Sequence, residues 1–558
     1  MIDRQNTRDA GVLRDAGVLR TAVSLPATMS ASNRYVGLML ATASGCLWFL
    51  ACPPFDIAGL AWFAAVPMLL AIDRAPTWRQ AVLLGGWAGA VETGGGFYWL
   101  IDLMQRFGGF PWLGAVAVFV LFCATRACIF LIFTGLVCAI RRNHRVPMTL
   151  LAPLAMVVGE LIVPQLFPCG QWISQAWHPL VIQITELTGP LGVTALLMLV
   201  NGALYDLIAR ETFARTSAIA AVMLVAAALG FGAIRMRQID ALVAAAPRLA
   251  VGLVQPNFAY PVDGQLTREE ALRQLTALQE QSARLERAGA RLIVWSEGAY
   301  PVMLPRDFPA DFPAGSLGRI RRGFSAPVVI GADTLEADQE DPYNSALLFD
   351  GDGKAVGRYD KVRLLAFGEY MPGIETFPWL RNVLPEGTGR FKRGAGPRVM
   401  SLAQPRGTPW RLGPLICYED LLPGFIRGVG RLHPNLLVNL TSDSWFGART
   451  EPFEHLALAV FATIEVRVSL VRAVNSGISA LVDPNGRLVS KTYADDPYRE
   501  PHAADGLLVS APKMEGGHTL FVAWGNWFAY ACLAATLALL FRVQWRLGVQ
   551  LRRDSRRP

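Results

Sequence analysis

"GPLICYED" (residues 413–420) carries an apolar run up to one cysteine and follows it at once with two acids. A run that stops at Cys417 reads as a core strand, with the carboxylates of Glu419 and Asp420 at its exposed end. Free cysteine is among the most buried residue types, so packing is the first explanation for Cys417 and a nucleophilic thiol the second. The octapeptide alone does not separate them.

Similar runs lie on both sides of it. "RLAVGLVQ" (248–255), "RLIVWSE" (291–297), "APVVIGAD" (326–333), "NSALLFDG" (344–351), "NLLVNLTS" (435–442) and "GISALVDPNGRLVS" (477–490) have the β-branched and apolar centres of strands. Pro484-Asn485-Gly486 and Gly351-Asp352-Gly353 supply hairpin turns. Helical patterns fall between several strands. The clearest spans 267–288, opened by Thr267 and Glu270 as a capping box, striped by Leu272, Leu275, Leu278 and Leu285, and ended by Gly289. Strands alternating with helices, plus hairpins, predict an α/β layered domain with a mixed sheet.

The rest of the chain differs in kind. Of its 558 residues 53% are hydrophobic and only 17% charged, against about a quarter in an ordinary soluble protein. The deficit is local: 36–72, 80–101, 113–140, 149–165, 189–208, 217–235 and 520–541 are nearly free of charge. Runs of roughly 17–25 apolar residues match the hydrocarbon core of a bilayer. The first run is too long for one span and is broken by "CPPFD" (52–56), where Pro53 and Pro54 end a helix, so a hairpin is expected there. About eight transmembrane helices follow.

The net charge of +8 is distributed as a topology signal and not as a nucleic-acid footprint. With the N-terminus inside, cytoplasmic loops hold Arg74 and Arg79, then Arg141, Arg142 and Arg145, then Arg210 and Arg215, while the short outer loops offer only Arg106. Both tails are rich in arginine. The expected organisation is a cytoplasmic tail (1–34) containing the duplicated "DAGVLRDAGVLR" (9–20), transmembrane helices 1–7 (35–235), a periplasmic domain (236–519), a final transmembrane helix (520–541) and a basic cytoplasmic tail (542–558). No cleavable signal peptide is expected, and the far side that holds 236–519 is the periplasm if this is a bacterial inner-membrane protein.

Six of the 8 cysteines fall in or beside apolar segments and Cys169 falls in a short outward loop; the soluble insert has only Cys417. It has no disulfide partner in its own domain, and no Cys or His neighbour stands at metal-ligand spacing. An unpaired thiol in an oxidising compartment is a liability unless buried or used. Two further strand ends carry chemistry: Glu297 closes "LIVWSE" and Lys361 closes "GRYDK". Thiolate, carboxylate and ammonium together suffice for nucleophilic attack on a carbonyl, with a base for the thiol and a cation for the oxyanion. Spacing alone does not bring the three together.

"VWSEGAYP" (294–301), "YDKVRLLAFGEYMP" (359–372), "GPLICYED" (413–420) and "LTSDSWFG" (440–447) resemble the Glu-Lys-Cys signature regions of the nitrilase superfamily, and within it the membrane-embedded apolipoprotein N-acyltransferases. "PPFDIAGLAWFAAVPMLL" (53–70), "APLAMVVGELI" (152–162), "GPLGVTALLMLVNGAL" (189–204) and "GNW" (525–527) resemble the same family, so the likeness runs from about residue 36 to 541.

The resemblance implies an α-β-β-α sandwich for the soluble domain. It implies Glu297 as general base, Lys361 as oxyanion stabiliser and Cys417 as nucleophile, with Glu369, Tyr418 and Glu419 in support. Ser442, Trp445, Tyr370, Met371 and Trp379 would contact substrate, and "YMPGIETFPWL" (370–380) would form either a lid dipping into the leaflet or a buried loop. The implied partners are a phospholipid acyl donor, the diacylglyceryl-Cys of an apolipoprotein as acceptor, and the bilayer, with no cofactor, metal or nucleic acid. Departures from the family pattern are Ser296 where proline often precedes the glutamate and Ser442-Asp443-Ser444 ahead of the tryptophan motif; His455, Arg472 and Asn475 keep family character. A membrane-tethered amidase or thioesterase, and a non-catalytic scaffold, remain the alternative functions.

Overall fold

The computed structural model describes residues 31–554 except 107, 143–144, 259–265, 339, 374–375, 378, 380–390, 447–449 and 493–505, so the duplicated hexapeptide lies outside the described residues. The chain opens with α1 (Ala31–Ala51), a 3-10 turn (Ala58–Trp62), α2 (Val66–Arg74), α3 (Trp78–Gly96), α4 (Leu100–Arg106), α5 (Trp112–Arg141) and α6 (Met148–Ile162). A second 3-10 turn (Gln171–Gln175), the short α7 (Pro179–Ile182) and α8 (Thr185–Thr188), then α9 (Leu191–Ile208) and α10 (Ala214–Ala245) complete this part.

Among the described residues, α1, α5, α9, α10 and a C-terminal helix that runs from Trp527 are long and apolar enough to cross a bilayer. The other expected spans are shorter or more polar. α6 has 15 residues, and α3 carries Arg79 and Glu92. The second arm of the first hairpin is not one helix: it is the 3-10 turn followed by the nine residues of α2. Its exposed peptide groups are satisfied from α9, where Asn201 donates to the Ala61 carbonyl (2.9 Å) and accepts from the Ala65 amide (2.8 Å). That is the condition for broken backbone at membrane depth. α3 packs on α5 through small residues; a Cβ at Gly85 would come within 2.3 Å of the Thr134 side chain. α10 continues ten residues past the expected limit of 235 and ends where the soluble domain begins.

The soluble domain starts with β1 (Arg248–Leu253) and α11 (Arg268–Arg287), whose Thr267–Glu270 capping box forms as expected. Then come β2 (Leu292–Val294), β3 (Leu304–Pro305), β4 (Val328–Leu335), β5 (Tyr343–Phe349), β6 (Ala355–Asp360), β7 (Met400–Leu402) and β8 (Trp410–Ile416). The remainder is α12 (Pro423–Gly430), β9 (Leu436–Thr441), α13 (Glu451–Val466), β10 (Leu470–Val474), β11 (Ala480–Val482), β12 (Leu488–Lys491), β13 (Leu507–Pro512), α14 (Leu520–Trp524) and α15 (Trp527–Asp554).

The strands form two mixed sheets, ordered β13-β1-β2-β4-β5-β6 with β3 beside β4, and β12-β11-β10-β9-β8-β7. Alternation assigns their faces. On β5, Ala346 and Leu348 turn into a core shared with Leu412 and Leu440 of the second sheet, whereas Leu347 and Phe349 pack under α11 with Leu275, Leu278 and Leu285. The result is the expected α-β-β-α sandwich.

α13 closes the far face of the second sheet and is buried along its whole length. Here its outer face meets the membrane part: Trp172 packs edge-on to Phe461 at 4.5 Å, with Ile173, Ala176, Ile182 and Val193 in the same cluster. Polar groups lock the joint. Arg467, just after α13, donates to Glu186 (2.8 Å) and Gln183 (2.8 Å), and Arg235 of α10 donates to the same Glu186 (2.8 Å).

Candidate active site

Glu297, Lys361 and Cys417, the three groups expected to react, sit just beyond the carboxyl ends of β2, β6 and β8, where open α/β sheets place their chemistry. Lys361 is the centre. Its ammonium, 1% exposed, donates to Glu297 (3.0 Å) and to Glu369 (2.8 Å). Asn344, the second residue of β5, bridges the same carboxylates, donating to Glu297 at 2.7 Å and Glu369 at 3.2 Å. Glu369 is further fixed by the Leu365 amide (2.8 Å).

Cys417 is buried and adopts φ +50°, a left-handed conformation rare for a residue with a side chain, as β8 turns into a 3-10 helix (Cys417–Leu421). Such strain is retained where the surroundings over-determine it. Glu419 does this: its carboxylate accepts from the Ile416 amide (2.9 Å), the Val362 amide (2.8 Å), the Arg363 amide (2.9 Å) and the Tyr359 hydroxyl (2.6 Å). One buried acid therefore ties the loop after Lys361 to the turn that presents Cys417.

The electrostatics are mutual. Burial pushes the Cys417 thiol up to about 12, and Glu297 adds to this while Lys361 and His455 pull it down. Burial also raises Glu297, reinforced by Glu369 and opposed by Lys361. Burial alone would lower Lys361, yet Glu297, Glu369 and Cys417 together hold it well above the usual lysine range. The site is thus a protonated thiol, a carboxylate made more basic by its surroundings and a fixed ammonium.

Behind Cys417 lies a second polar layer. His455 of α13 is bonded through Nε2 to Asp420 (3.0 Å) and through Nδ1 to Asp443 (2.9 Å), and Arg472 of β10 donates to both Asp443 oxygens (3.1 Å each). Burial and Arg472 oppose a charge on His455, but Asp420 and Asp443 outweigh them and raise it well above the ordinary histidine value. Asn439 donates to Asp420. Asp443, Glu451 and His455 offer ligand atoms within 4.8 Å of one another, the spacing of a metal site. Arg472 on Asp443 and Asp420 on the second imidazole nitrogen already engage two of these three groups, whereas one Glu451 oxygen is buried without a hydrogen-bond partner.

The remaining expected residues are placed as follows. Tyr418 points away from the sandwich, donating to the Leu166 carbonyl of the membrane part (2.5 Å). Tyr370 lies under the Arg393 guanidinium at 4.5 Å, and Met371 is half-buried beside it. Trp379 is 60% exposed, as are Phe367 and Phe377 at 59% and 52%, so the described part of 370–380 is not a buried loop. Ser442 shares its hydroxyl with Ser444 (2.9 Å) and Asn475 (3.4 Å). The Trp445 side chain lies outside the described residues. Asn344, Tyr359, Asp420 and Asn439 were not expected; Asn344 and Asn439 sit within strand runs, where sequence signals packing and not a polar contact.

Two family models match the chain. That of the apolipoprotein N-acyltransferase N-terminal domain covers residues 44–203, and that of carbon-nitrogen hydrolases covers 250–496. Among curated proteins, the apolipoprotein N-acyltransferase of Geobacter metallireducens is 30% identical over 524 residues, covering 90% of this chain and 95% of its own. That of Bdellovibrio bacteriovorus is 29% identical over 502 residues, covering 84% and 89%. Among solved structures, the Nesterenkonia AN1 amidase from the nitrilase superfamily is 18% identical, covers 49% of this chain and 93% of its own, and has a TM-score of 0.33.

Proposed function

The chain belongs to the apolipoprotein N-acyltransferase family, and from that premise we propose how its own residues carry the transfer. It is a membrane acyltransferase whose catalytic domain has the nitrilase-superfamily fold. Cys417 is the nucleophile, Glu297 the general base and Lys361 the oxyanion stabiliser; the observation that carries this assignment is the Lys361 ammonium held between Glu297 and Glu369 beside the strained Cys417.

In the first half-reaction Glu297 takes the Cys417 proton as sulfur attacks the ester carbonyl of a phospholipid. Lys361 balances the oxyanion, Glu297 returns the proton to the departing alcohol, and lysophospholipid leaves a thioester on Cys417. In the second, the α-amine of a diacylglyceryl-cysteine attacks the thioester and gives its proton to Glu297. The C–N bond forms, the C–S bond breaks and the thiolate recovers the proton. A thiol held at about 12 does not ionise on its own at neutral pH, so base assistance is built into the site.

The exposed Phe367, Phe377 and Trp379 support a lid that meets the outer leaflet, since aromatic side chains favour the interface. Arginines gathered on one side of the spans support a periplasmic catalytic domain. A protease added outside spheroplasts would then cut within 248–512 and spare the loop at 209–213.

The deciding experiment is mass spectrometry of the Cys417 peptide after incubation with phospholipid alone. A fatty-acyl adduct, absent in Cys417→Ala and discharged to an N-acyl product only by a diacylglyceryl lipopeptide, is the expected result. Unmodified Cys417 with steady release of free fatty acid would identify a hydrolase instead.

A further inference from the structure

Arg126 lies near the middle of the 30-residue helix α5, buried, where an ionised side chain is expensive and is retained for a use. No acid is paired with it among the described residues. It is spent instead on the backbone of one segment, the stretch 163–170 between α6 and the second 3-10 turn. Its guanidinium donates to the Gln165 side chain (2.7 Å), the Phe167 carbonyl (3.2 Å) and the Cys169 carbonyl (2.6 Å), and lies 5.0 Å over the Phe97 ring. Gln165 also accepts from the Cys169 amide (3.3 Å), closing the segment on itself.

That segment is what touches the residue after the nucleophile. The Tyr418 hydroxyl donates to the Leu166 carbonyl at 2.5 Å, and the Tyr418 ring meets Phe167 edge-on at 6.2 Å. Phe167 also packs against Phe446, in the loop after β9, at 6.4 Å. A cation in the membrane part, the five-residue stretch 165–169 and one phenol thus form a continuous path to a turn whose backbone is already strained at Cys417.

We propose that Arg126 is a positioning residue: by holding 165–169 it fixes Tyr418, and through Tyr418 the orientation of Cys417 relative to the bilayer from which the acyl chain arrives. Loss of the guanidinium leaves the buried Phe167 carbonyl and the half-buried Cys169 carbonyl without their donor, and the segment relaxes. The Cys417 turn then loses its membrane-side support while Glu297, Lys361 and Glu369 keep theirs. The inference rests on Cys417 as the nucleophile, and it predicts a defect in the thiol's presentation and not in lipid binding.

The test uses the full-length enzyme with Arg126→Met, Arg126→Lys, Tyr418→Phe and the Arg126→Met/Tyr418→Phe pair. Steady-state transfer from phospholipid is measured alongside the alkylation rate of the Cys417 peptide by N-methylmaleimide without lipid. For Arg126→Met we expect kcat to fall about 30-fold with KM within about threefold, since a misplacement near 1 Å costs up to about 100-fold. Alkylation of Cys417 changes in parallel, Arg126→Lys recovers part of the loss, and the pair is no worse than Arg126→Met alone. Multiplicative losses in the pair, or alkylation equal to wild type, would overturn the proposal. Should Arg126→Met not accumulate as folded protein, Gln165→Leu replaces it in the same cycle, with the same two outcomes deciding. Failure of the nucleophile assignment is separate: it appears as activity surviving in Cys417→Ala.

Discussion

Cys417 and Glu297 affect one another in opposite senses during resting and reacting states. The Glu297 charge helps to hold the thiol protonated, yet the same carboxylate is the base we propose for removing its proton. Because the thiol stands at about 12, its ionised fraction rises about tenfold per pH unit from pH 7 to 10, and alkylation of wild-type Cys417 is expected to climb over that window without a plateau. Glu297→Gln removes the charge that raises the thiol, so its alkylation profile moves to lower pH while acyl transfer falls by about 10²–10⁴. A profile moving to higher pH would contradict the arrangement. Glu419 is a structural partner of this pair. Its Oε1 faces two amide donors and its Oε2 a third, so in Glu419→Gln an NH₂ meets an N–H whichever way the amide turns. A loss of about 1–3 kcal/mol in thermal or denaturant unfolding is the expected cost.

At the level of elements, the site depends on how closely β4 passes the loop after β2. A Cβ at Gly331 would lie 2.3 Å from the Ser296 carbonyl oxygen and 2.8 Å from Glu297 Cα, and both obstacles are backbone. Gly331→Ala is therefore expected to displace Glu297, the carboxylate we propose as the base. Its expected signature is destabilisation of about 1–3 kcal/mol together with a fall in kcat, read by unfolding and by single-turnover acylation of Cys417. α13 shows the same economy: one helix supplies His455 to the layer behind the thiol, accepts Trp99 of the membrane part on Glu454 at 3.0 Å, and fills the joint with Phe461.

For the whole molecule, the joint between membrane and catalytic parts is held by a buried acid serving two arginines. Glu186→Ala leaves Arg467, 4% exposed, without its counter-charge, and breaking one side of such a pair costs about 3–5 kcal/mol. The lowered melting temperature in detergent is expected to come with earlier proteolysis between 209 and 248. An unchanged melting point would show that apolar packing alone carries the joint.

The sequence by itself determined the fold class, the strand runs around Cys417 and the capped helix 267–288, and it singled out the three groups to which we assign the chemistry. Apolar length, period-two alternation and a four-motif resemblance are all local signals. Strands such as β6 and β10 escaped notice because Arg358, Arg472 and their neighbours interrupt the apolar pattern, and burial of Arg472 is visible only once Asp443 is placed beside it. The second arm of the first hairpin reads as one span because hydropathy does not report that Asn201, 140 residues away, satisfies a broken backbone. Only the tertiary structure decided that Asn344 bridges two carboxylates, that Ser442 faces its own loop and that Tyr418 reaches Leu166 across 252 residues of chain. The Asn344 and Tyr418 bonds join groups distant in sequence, and such bonds are specified by how buried elements pack, not by any local pattern.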